Sequence, residues 1–586
     1  MQDTEFTVIG IIGCGPRGLA ALESLYSKAA HKNILPKTII FEQTLQLGAG
    51  PVYDVTQAAT NLLNVSERAV DIPPRERVEY KDLIIPGFPT FQSWSGYDEA
   101  TSDASEVDRF PLRSMVGNYL RARFDSIADA LTDQGLLQVV HGEVISACPK
   151  NGGIRIRISN GGSYQVDEAV LTIGHQPTEP DEQLSDWLSR AANSDRSKLF
   201  EDPYPVKRIS AFVGEASPET IVLRGFGLAM IDIVKALTEG MGGCFKITDD
   251  ATRSMEYQSS GREPKSIIPF SLDGLPAAPK PMNRKLDLPF IPSDDELREF
   301  REVLQQAMYG NTVPKTIDFL IRRISPLIAK RYTGPDMLTP VHGHAEQDIQ
   351  DLVQSWLHNA SFTDDLIIPL EWKAKDMMVA FAGMASGQRE VSLDYCIGNV
   401  WRYCEPSLYE TLAFSPLSDS LIVEIVALVE RMKRYSYGPP LDSVQQLLAL
   451  ERAGILNLDF VNDPAIELKA TGWRMEKSGK VATADVLVNA IMDSPQILKV
   501  TSELPKSLID GSLVEPWEDS LGIRTEKNGL FDFKDKDVAF PLAVLGRLTK
   551  GTLVGVDAIE ACFGNSSKWW AEGLMDRMAN LQELHN

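Results

Sequence analysis

Cysteine is scarce in this chain, and its cysteines stand far apart. The six cysteines among the 586 residues are Cys14, Cys148, Cys244, Cys396, Cys404 and Cys562. No C-x-x-C pair occurs, so the sequence offers neither a zinc site nor a redox-active disulfide, and a disulfide reductase is excluded. The spacing is typical of reduced, buried thiols. His342 and His344 form a close pair, but no third ligand is evident, so a loop rather than a metal site is expected.

Long apolar runs and an excess of basic residues are also missing. No uninterrupted apolar stretch approaches the roughly 20 residues that span a bilayer. The first residues, MQDTE, are acidic, whereas a secretory signal starts with basic residues. The 58 Lys and Arg residues are outnumbered by 81 Asp and Glu residues, which gives a formal net charge of −23. Because nucleic acids and anionic membranes attract basic patches, we expect a cytoplasmic protein that binds neither.

The chain is too long for a single hydrophobic core. For 586 residues, about three or four domain-sized units are expected. The hydrophobic fraction of 43% is ordinary for a globular protein. Association of several copies into a homo-oligomer is left open by the sequence.

A glycine-rich turn near the N-terminus is the most informative feature present. The apolar run Val8–Ile12 leads into the hexapeptide GCGPRG, and an Ala/Leu-rich helix pattern follows at once. In this context Gly13 permits a tight turn, and Gly15 lets the backbone approach a pyrophosphate. Gly18 lets the helix pack closely on the strand.

The second strand of the same unit ends in an acid. Lys37–Phe41 reads as a buried strand, and Glu42 after it is placed to accept hydrogen bonds from an adenosine ribose. Pro16 and Arg17 begin the intervening helix, whose N-terminal N–H groups and dipole favour phosphates. Strand, glycines, helix, strand and acid in this order predict a dinucleotide site. The alternative is an ordinary strand-to-helix turn.

Two later segments add candidate ligand contacts. In Thr60–Val65, aliphatic residues alternate with amides such as Asn64, which can hold a polar edge of a ligand; backbone capping by the asparagines is the equal alternative. Ala169–Ile173 reads as a buried strand that stops at Gly174 and His175. A strand that stops at a glycine turn is expected at the carboxyl edge of a parallel sheet, beside a bound nucleotide.

A second, weaker glycine unit begins at Thr220. A strand, Gly225, Gly227 and a helix over 231–237 follow in order, but Met230 takes the place of the third glycine. The next strand is expected at 244–247 or at 255–257. Arg262, shortly after it, is a candidate for the 2′-phosphate of NADP, and a solvated surface arginine is the alternative.

The rest of the chain is mostly helical before its C-terminal part. Helical apolar spacing occurs over 294–308, 316–329, 346–356 and 420–432. Buried strands are predicted at 484–490 and 539–545, and Val554–Asp557 leads into a helix.

The order of these parts resembles a known family of flavoproteins. The segments that carry the resemblance are GCGPRGLA (13–20), GAGPVYD with TNLLNV (48–65), RFPLRSMVGNYL (109–120), LTIGH (171–175), RGFGLAMID (224–232), SSGREP (259–264) and LGRLTKGTLVGVDAI (545–559). Together they are similar to the FAD/NAD(P)-binding protein family of two-dinucleotide-binding-domain flavoproteins, which is related to the N-hydroxylating class B flavin monooxygenases. The resemblance runs along most of the chain and is weakest in the helical region.

The resemblance implies an α/β fold with two Rossmann-like dinucleotide-binding domains. A glutathione-reductase-like FAD domain would be split between residues 1–205 and 511–586. An inserted NAD(P) domain would begin at 206–283 and close at 461–510. Residues 284–460 would form a helical insertion that contributes the substrate region.

The resemblance also implies roles for single residues. The glycines at 13, 15 and 18 and Glu42 would hold the ADP part of FAD, and Asp557, or backbone near Gly555, would approach the ribityl or pyrophosphate end. Gly225, Gly227 and Arg262 would serve NADPH, with NADH as the alternative. Thr172-Ile173-Gly174 takes the place of the family's linker turn.

The resulting hypothesis is an FAD- and NAD(P)H-dependent monooxygenase. NADPH would reduce FAD, reaction with O₂ would give a C4a-(hydro)peroxyflavin, and this species would oxygenate a small substrate, with an amino acid or amine nitrogen as one target. Arg68 and Arg113 are candidates for binding an anionic substrate, with solvated surface arginines as the alternative, and His175 is a candidate near the flavin. The rival hypotheses are a flavin-dependent NAD(P)H oxidoreductase without oxygenation and a non-catalytic FAD-binding sensor.

Overall fold

Strands and helices alternate along the first third of the chain, and helices dominate its middle. The computed structural model describes residues 7–192, 197–340, 345–517, 520–532 and 540–585. The strands are, in chain order, β1 (Val8–Ile12), β2 (Lys37–Glu42), β3 (Val78–Tyr80), β4 (Leu83–Ile85), β5 (Leu137–His141), β6 (Val144–Lys150), β7 (Gly153–Ile158), β8 (Ser163–Val166), β9 (Glu168–Leu171), β10 (Lys198–Phe200), β11 (Thr220–Arg224), β12 (Cys244–Asp249), β13 (Ser254–Gln258), β14 (Ser266–Phe270), β15 (Ala465–Lys469), β16 (Gly472–Lys477), β17 (Lys480–Ala484), β18 (Val486–Asn489) and β19 (Leu542–Val544). The α-helices are α1 (Pro16–Lys32), α2 (Phe91–Ser95), α3 (Arg113–Asp133), α4 (Glu182–Ala191), α5 (Val206–Ala216), α6 (Leu228–Leu237), α7 (Arg284–Asp287), α8 (Asp294–Met308), α9 (Asp318–Tyr332), α10 (Glu346–His358), α11 (Ala374–Ala385), α12 (Leu393–Leu412), α13 (Asp419–Ser436), α14 (Leu441–Arg452), α15 (Glu503–Asp510), α16 (Ile559–Cys562) and α17 (Asn565–His585).

A parallel sheet built from both ends of the chain carries the first glycine turn. Its strand order is β19-β9-β1-β2-β5, and each neighbouring pair runs parallel. Strand β1 is central and almost fully buried, as the apolar sequence Ile-Gly-Ile-Ile requires of a strand covered on both faces. Helix α17 packs on α1, where Lys28 pairs with Glu572 at 3.1 Å. The C-terminal segment therefore completes the domain that the N-terminal segment begins.

A second parallel sheet has the order β10-β18-β11-β14. Strand β11 lies between β18 and β14, so the strand predicted at 484–490 joins this sheet as β18. Strand β10 pairs with β18 although it lies within 1–205, the range predicted for the first part of the FAD domain. Strand β10 therefore belongs to the second sheet. The sequence did not predict it, because a strand of three residues is too short to show a periodic pattern.

The strand that follows the second glycine unit differs from the predicted one. Both predicted segments, 244–247 and 255–257, form strands, but β12 and β13 pair with each other as a separate antiparallel hairpin. The strand that returns beside β11 is β14. The hairpin is an insertion in the crossover, and local strand propensity cannot show which of three successive strands enters the main sheet.

The helical region of the sequence is helical in the structure. Helix α8 spans the predicted 294–308 and begins with a capping box formed by Ser293 and Glu296. The large apolar cluster of this region joins α8–α14 to α6 of the second sheet. The predicted α/β fold class, with two parallel sheets and a helical insertion, is confirmed.

A buried ion-pair network stabilises the first domain, and its loss has a predictable cost. Arg123 is 2% exposed and contacts both carboxylate oxygens of Glu23, at 2.8 and 2.7 Å. Replacing Arg123 by methionine leaves a buried carboxylate with only Arg75 as its partner, at 3.0 Å. We expect a loss of about 3 kcal/mol of folding free energy. The variant Lys28→Met, which breaks an exposed pair, should cost less than about 1 kcal/mol.

Thermal unfolding followed by far-UV circular dichroism measures this difference. The Arg123→Met variant should unfold at a clearly lower temperature than Lys28→Met and the unmodified protein. Equal midpoints for the two variants would contradict the stabilising role of the Arg123–Glu23 pair.

Candidate functional site

The first glycine turn has the geometry that the sequence predicts. Gly13 has φ +90°, a left-handed conformation that favours glycine, and its N–H donates to the Phe41 carbonyl at 2.8 Å. A Cβ at Gly18 would lie 2.3 Å from the Gly13 carbonyl oxygen. The strand, the turn and helix α1 are thus in direct backbone contact, which only glycine permits at position 18.

The N-terminus of α1 is open on the side where a phosphate would bind. Pro16 takes its first position, and no side chain caps it. Gly15 is extended, and Gly50 packs against it, so that a Cβ on Gly50 would lie 3.1 Å from the Gly15 Cα. Uncapped N–H groups between two glycine backbones form a cradle that fits a diphosphate.

Glu42 lies beside this cradle. One carboxylate oxygen accepts the Cys14 N–H at 2.7 Å, and the other accepts the N–H and hydroxyl of Thr44 at 2.8 and 2.7 Å. The oxygen that binds Cys14 keeps a lone pair, so the carboxylate can still accept a ribose hydroxyl there. The position therefore fits the ribose contact predicted for Glu42.

The linker turn at residues 172–174 closes the other side of the glycine turn. The Thr172 hydroxyl donates to the Ile12 carbonyl at 3.2 Å and also contacts the Gly13 carbonyl. Gly174 follows with φ +68° at the carboxyl edge of β9. The threonine thus ties the turn after β9 to the turn after β1.

Arg17 is engaged by the protein itself. Its guanidinium donates to the Ala561 carbonyl at 3.0 Å and to the Ser566 hydroxyl at 3.2 Å. Its side chain therefore holds the C-terminal segment on α1, and only its backbone N–H remains for the phosphate contact that the sequence predicts. The sequence contains no local signal for this, because the partners lie more than 500 residues away.

The second glycine turn repeats part of the first. Gly225 has φ +129°, and a Cβ there would lie 3.0 Å from the Ala490 carbonyl oxygen. The turn thus sits where β11 and β18 end side by side. A Cβ at Gly227 would meet no atom within 4 Å, so the space above the start of α6 is open. Met230, in place of the third glycine, is buried in α6.

Arg262 lies at the wrong edge of the second sheet for its predicted role. It precedes β14, and its guanidinium packs against Gly242, which follows the C-terminal end of α6. Nucleotides bind at the carboxyl edge of the strands, where α6 begins, and a ten-residue helix is about 15 Å long. This geometry does not favour the predicted contact of Arg262 with the 2′-phosphate, because the inserted hairpin moves this residue to the opposite edge.

Replacing Arg262 by alanine tests whether this residue contacts the nucleotide. We expect the ratio of the KM values for NADPH and NADH to change by less than about twofold, since no nucleotide group reaches this edge of the sheet. Steady-state oxidation of the two nucleotides measures the ratio. A selective loss of NADPH affinity would restore the role predicted from the sequence.

Arg113 joins the two dinucleotide-type domains. It pairs with Asp232 of α6 at 2.8 Å and donates to the Tyr204 hydroxyl at 3.1 Å. Together with Asn64 and Lys235, Arg113 and Asp232 line a recess between the domains. Because a protein carboxylate already neutralises Arg113, its predicted contact with an anionic substrate has little support in this geometry.

Arg68 is paired in the same way. It contacts Asp108 at 2.8 Å and Asp287 at 2.7 Å, and Arg402 also binds Asp287. Burial opposes the charge on Asp287, but Arg402 and Arg68 outweigh it and hold the pKa of Asp287 below its usual range. Both sequence-predicted arginines are thus half-buried in ion pairs, and neither is the solvated surface residue that was the alternative.

Lys280 is the buried cation that sequence reasoning missed. Its side chain is 8% exposed, it donates to the Asn64 carbonyl, and it forms no ion pair within the described part of the chain. Burial, with the nearby Arg402 charge, lowers the pKa of Lys280 to about 7. A lysine between two prolines shows no sequence pattern of its own, so only the fold reveals it.

Glu405, on helix α12, is near enough to Lys280 for the two charges to influence each other. It is 8% exposed, and its Oε1 has no hydrogen-bond partner among the residues that the structure describes. Burial raises the pKa of Glu405 to about 7, although Lys280 and Lys433 act against the rise. One carboxylate oxygen of Glu405 and the charge of Lys280 are thus left without a partner in the described ranges, and a polar ligand could satisfy them.

Asp557 lies in a cluster of cations at the C-terminal segment. Its carboxylate contacts Lys433 at 2.6 Å and also binds Arg547, and Lys550 lies at 3.6 Å. Burial opposes the charge, but these three cations hold the pKa of Asp557 well below its usual range. The cluster joins α13 of the helical region to the segment that completes the first sheet.

His175 borders this cluster at the mouth of a cleft. The residue is exposed, although protein atoms lie near its imidazole. This desolvation and then the charge of Arg547 lower the pKa of His175 to about 4, so the imidazole is neutral near pH 7. Gly174 and Arg547 line the adjoining recess.

Comparison with known proteins identifies the first domain. Residues 10–176 match the family described as FAD-NAD(P)-binding. The N-terminal part of the chain is an FAD-NAD(P)-binding domain. The predicted cofactor class, FAD with a nicotinamide nucleotide, is confirmed at this level.

Two curated proteins and one solved structure are similar over longer stretches. The nitrosuccinic acid synthase of Aspergillus oryzae is 25% identical over 88% of this chain and 82% of its own length. The L-aspartate N-monooxygenase (nitrosuccinate-forming) of Streptomyces davaonensis is 27% identical over 49% of this chain and 46% of its own length. The ornithine hydroxylase of Pseudomonas aeruginosa has a TM-score of 0.43 and 13% identity, over 98% of this chain and 99% of its own.

Within the described ranges, no helix is long and apolar enough to cross a membrane. In the same ranges, no group of three or more His, Cys, Asp or Glu side chains is placed to hold a metal ion. His342 and His344 lie outside the described residues.

Proposed function

We propose that this protein is an FAD- and NAD(P)H-dependent monooxygenase that oxygenates the nitrogen of a small acidic amino acid. The observation that carries the proposal is the likeness, over 88% of the chain, to a nitrosuccinic acid synthase. The name of the second curated relative, a nitrosuccinate-forming L-aspartate N-monooxygenase, points to the same substrate. L-Aspartate is therefore the first substrate to test.

The glycine cradle fits the FAD that this chemistry needs. The uncapped start of α1 and Gly15 would bind the diphosphate, and Glu42 would bind the adenosine ribose. When bound, FAD would supply the redox chemistry, taking electrons from the nicotinamide nucleotide and activating O₂. The neutral imidazole of His175 adds no positive charge at the mouth of the neighbouring cleft.

Lys280 and Glu405 are our candidates for the substrate contacts. An acidic amino acid carries carboxylates that need a cation, and Lys280 is a buried amine without an ion-pair partner in the described ranges. Nitrogen can accept an oxygen atom only through its free lone pair, so the substrate ammonium must lose a proton first. Glu405, with a pKa of about 7, can accept this proton near neutral pH.

We also propose a division of the chain into domains. We assign residues 1–197 and 511–586 to the FAD domain, and 198–283 with 461–510 to the nicotinamide-nucleotide domain. Residues 284–460 would form the substrate region, in which α12 carries Glu405. A cytoplasmic location is proposed because all six cysteines are free, as expected in a reducing compartment.

Product analysis tests the proposed function. The FAD-loaded protein is incubated with NADH or NADPH, O₂ and single amino acids, and mass spectrometry follows the amino acid. Oxidation of the nucleotide that L-aspartate stimulates, with an N-oxygenated product, is the expected result. Nucleotide oxidation that yields only hydrogen peroxide would favour an oxidoreductase without oxygenation, and failure to reduce FAD would favour a sensor.

A further inference from the structure

The loop after β14 carries an acid at a position that contacts a nucleotide in dinucleotide folds. Strand β14 follows α6 and lies parallel to β11, so its carboxyl end adjoins the second glycine turn. In such folds, the side chains just after this strand meet the adenosine ribose, where an acid binds a 2′-hydroxyl and an arginine accommodates a 2′-phosphate. Here these positions hold Ser271, Leu272 and Asp273, and residues 270–276 contain no Lys or Arg.

The loop presents Asp273 in a fixed conformation. Its Oδ1 accepts the Leu275 N–H and the Ser271 hydroxyl, both at 3.0 Å. Gly274 has φ +65°, and a Cβ there would lie 2.6 Å from the Asn462 Cβ, so the turn is packed against a neighbouring segment. The side chain itself is exposed, and its Oδ2 contacts no described residue. The free oxygen is available to a hydroxyl donor.

The charges around this loop do not favour a phosphate. Asp463 lies beside Ser271, to whose carbonyl its N–H donates at 2.8 Å, so a second carboxylate stands at the same edge. Lys477 is a cation nearby, and its Nζ donates to the Asp463 carbonyl at 3.3 Å. Arg262 lies at the opposite edge of the sheet and cannot take part.

We propose that Asp273 makes the second dinucleotide site selective for NADH over NADPH. The proposal rests on the proposed function only in taking the Gly225–Gly227 turn as the nicotinamide-nucleotide site. The 2′-hydroxyl of NADH would donate to the Asp273 carboxylate as a charge-assisted hydrogen bond. The 2′-phosphate of NADPH is an anion and would stand against the same carboxylate, so its binding is weakened.

Calorimetric titration of the FAD-loaded protein with NAD⁺ and with NADP⁺ tests the inference. We expect NADP⁺ to bind at least about tenfold more weakly than NAD⁺, a gap of about 1.4 kcal/mol. Asp273→Asn should narrow the gap to about threefold, and Asp273→Arg should reverse the order. As a matched control, Asp250→Arg introduces the same charge change in the turn between β12 and β13 and should leave both affinities unchanged.

The outcomes separate this inference from the proposed function. Tighter or equal binding of NADP⁺, no response to Asp273→Asn, or no binding of either nucleotide would overturn the selectivity of Asp273. A preference for NAD⁺ that is lost in Lys477→Met but kept in Asp273→Asn would also overturn the inference about Asp273. If the NAD⁺ preference holds but no amino acid is oxygenated with either nucleotide, the proposed function fails and the inference about Asp273 stands.

Discussion

Replacing Gly18 by alanine is expected to yield a folded protein without bound FAD. The added Cβ would lie 2.3 Å from the Gly13 carbonyl oxygen, so helix α1 must move away from the turn that would hold the diphosphate. A displacement of this kind costs about 3 kcal/mol, which is roughly a hundredfold in FAD affinity. The ratio of flavin to protein absorbance after purification, and titration with added FAD, measure the loss.

Gly214→Ala is the matched control for this experiment. Gly214 lies in helix α5, and the nearest atom to an added Cβ is 3.8 Å away, so this alanine should leave FAD binding unchanged. A Gly18→Ala protein that keeps a full complement of FAD would show that the first glycine turn is not the FAD site. In that event, the cofactor roles proposed for Gly13, Gly15 and Glu42 would fail with it.

Replacing Lys280 by methionine is expected to have the second large effect. Removing the cation would leave a substrate carboxylate buried and unpaired, at a cost of about 3 kcal/mol in binding, or roughly a hundredfold in KM for the amino acid. The FAD content should stay the same, because Lys280 donates to the Asn64 carbonyl and not to the glycine cradle at the start of α1. Steady-state kinetics with L-aspartate gives the KM. An unchanged KM would rule out Lys280 as the substrate cation.

The pH dependence of KM distinguishes this role from a structural one. The charged form of Lys280 binds the carboxylate, and burial lowers the pKa of this amine to about 7. The charge is therefore present below pH 7 and lost above it, so KM should rise about tenfold per pH unit above pH 7. Lys280→Arg, which stays charged, should remove this rise. Lys285→Met, which changes an exposed lysine in the nearby helix α7, should keep the unmodified pH profile.

Local sequence patterns predicted the first glycine unit and the helical region well. Strand β1, helix α1, strand β2 and Glu42 lie within 35 consecutive residues, Val8–Glu42, and each element has a strong pattern of its own. Helix α8 also begins and ends where its apolar spacing predicts, since its N-cap Ser293 and first-turn acids mark the start. Such features depend on neighbouring residues, so one sequence is enough to find them.

The prediction of the strand that follows α6 in the second sheet was wrong, because a hairpin is inserted there. The hairpin β12–β13 separates α6 from β14, so the residues at the carboxyl end of the strand beside β11 are Ser271–Asp273 and not the neighbourhood of Arg262. The sequence patterns did not predict strand β10, because a strand of three residues shows no periodicity. Both errors arise because pairing in a sheet is decided by contacts between distant segments.

By itself, the sequence determined that a dinucleotide cradle stands at the N-terminus and that the chain has an α/β fold. The conformational demands of Gly13 and Gly18 and the periodicity of the flanking strands and helix are local and need no partner. Only the tertiary structure decided which charges remain available. Arg68 and Arg113 are neutralised by Asp287 and Asp232, which lie more than 100 residues away, whereas Lys280 is buried without such a partner in the described ranges. The physical reason is that the pairing and burial of a charge depend on which distant segments the fold brings together.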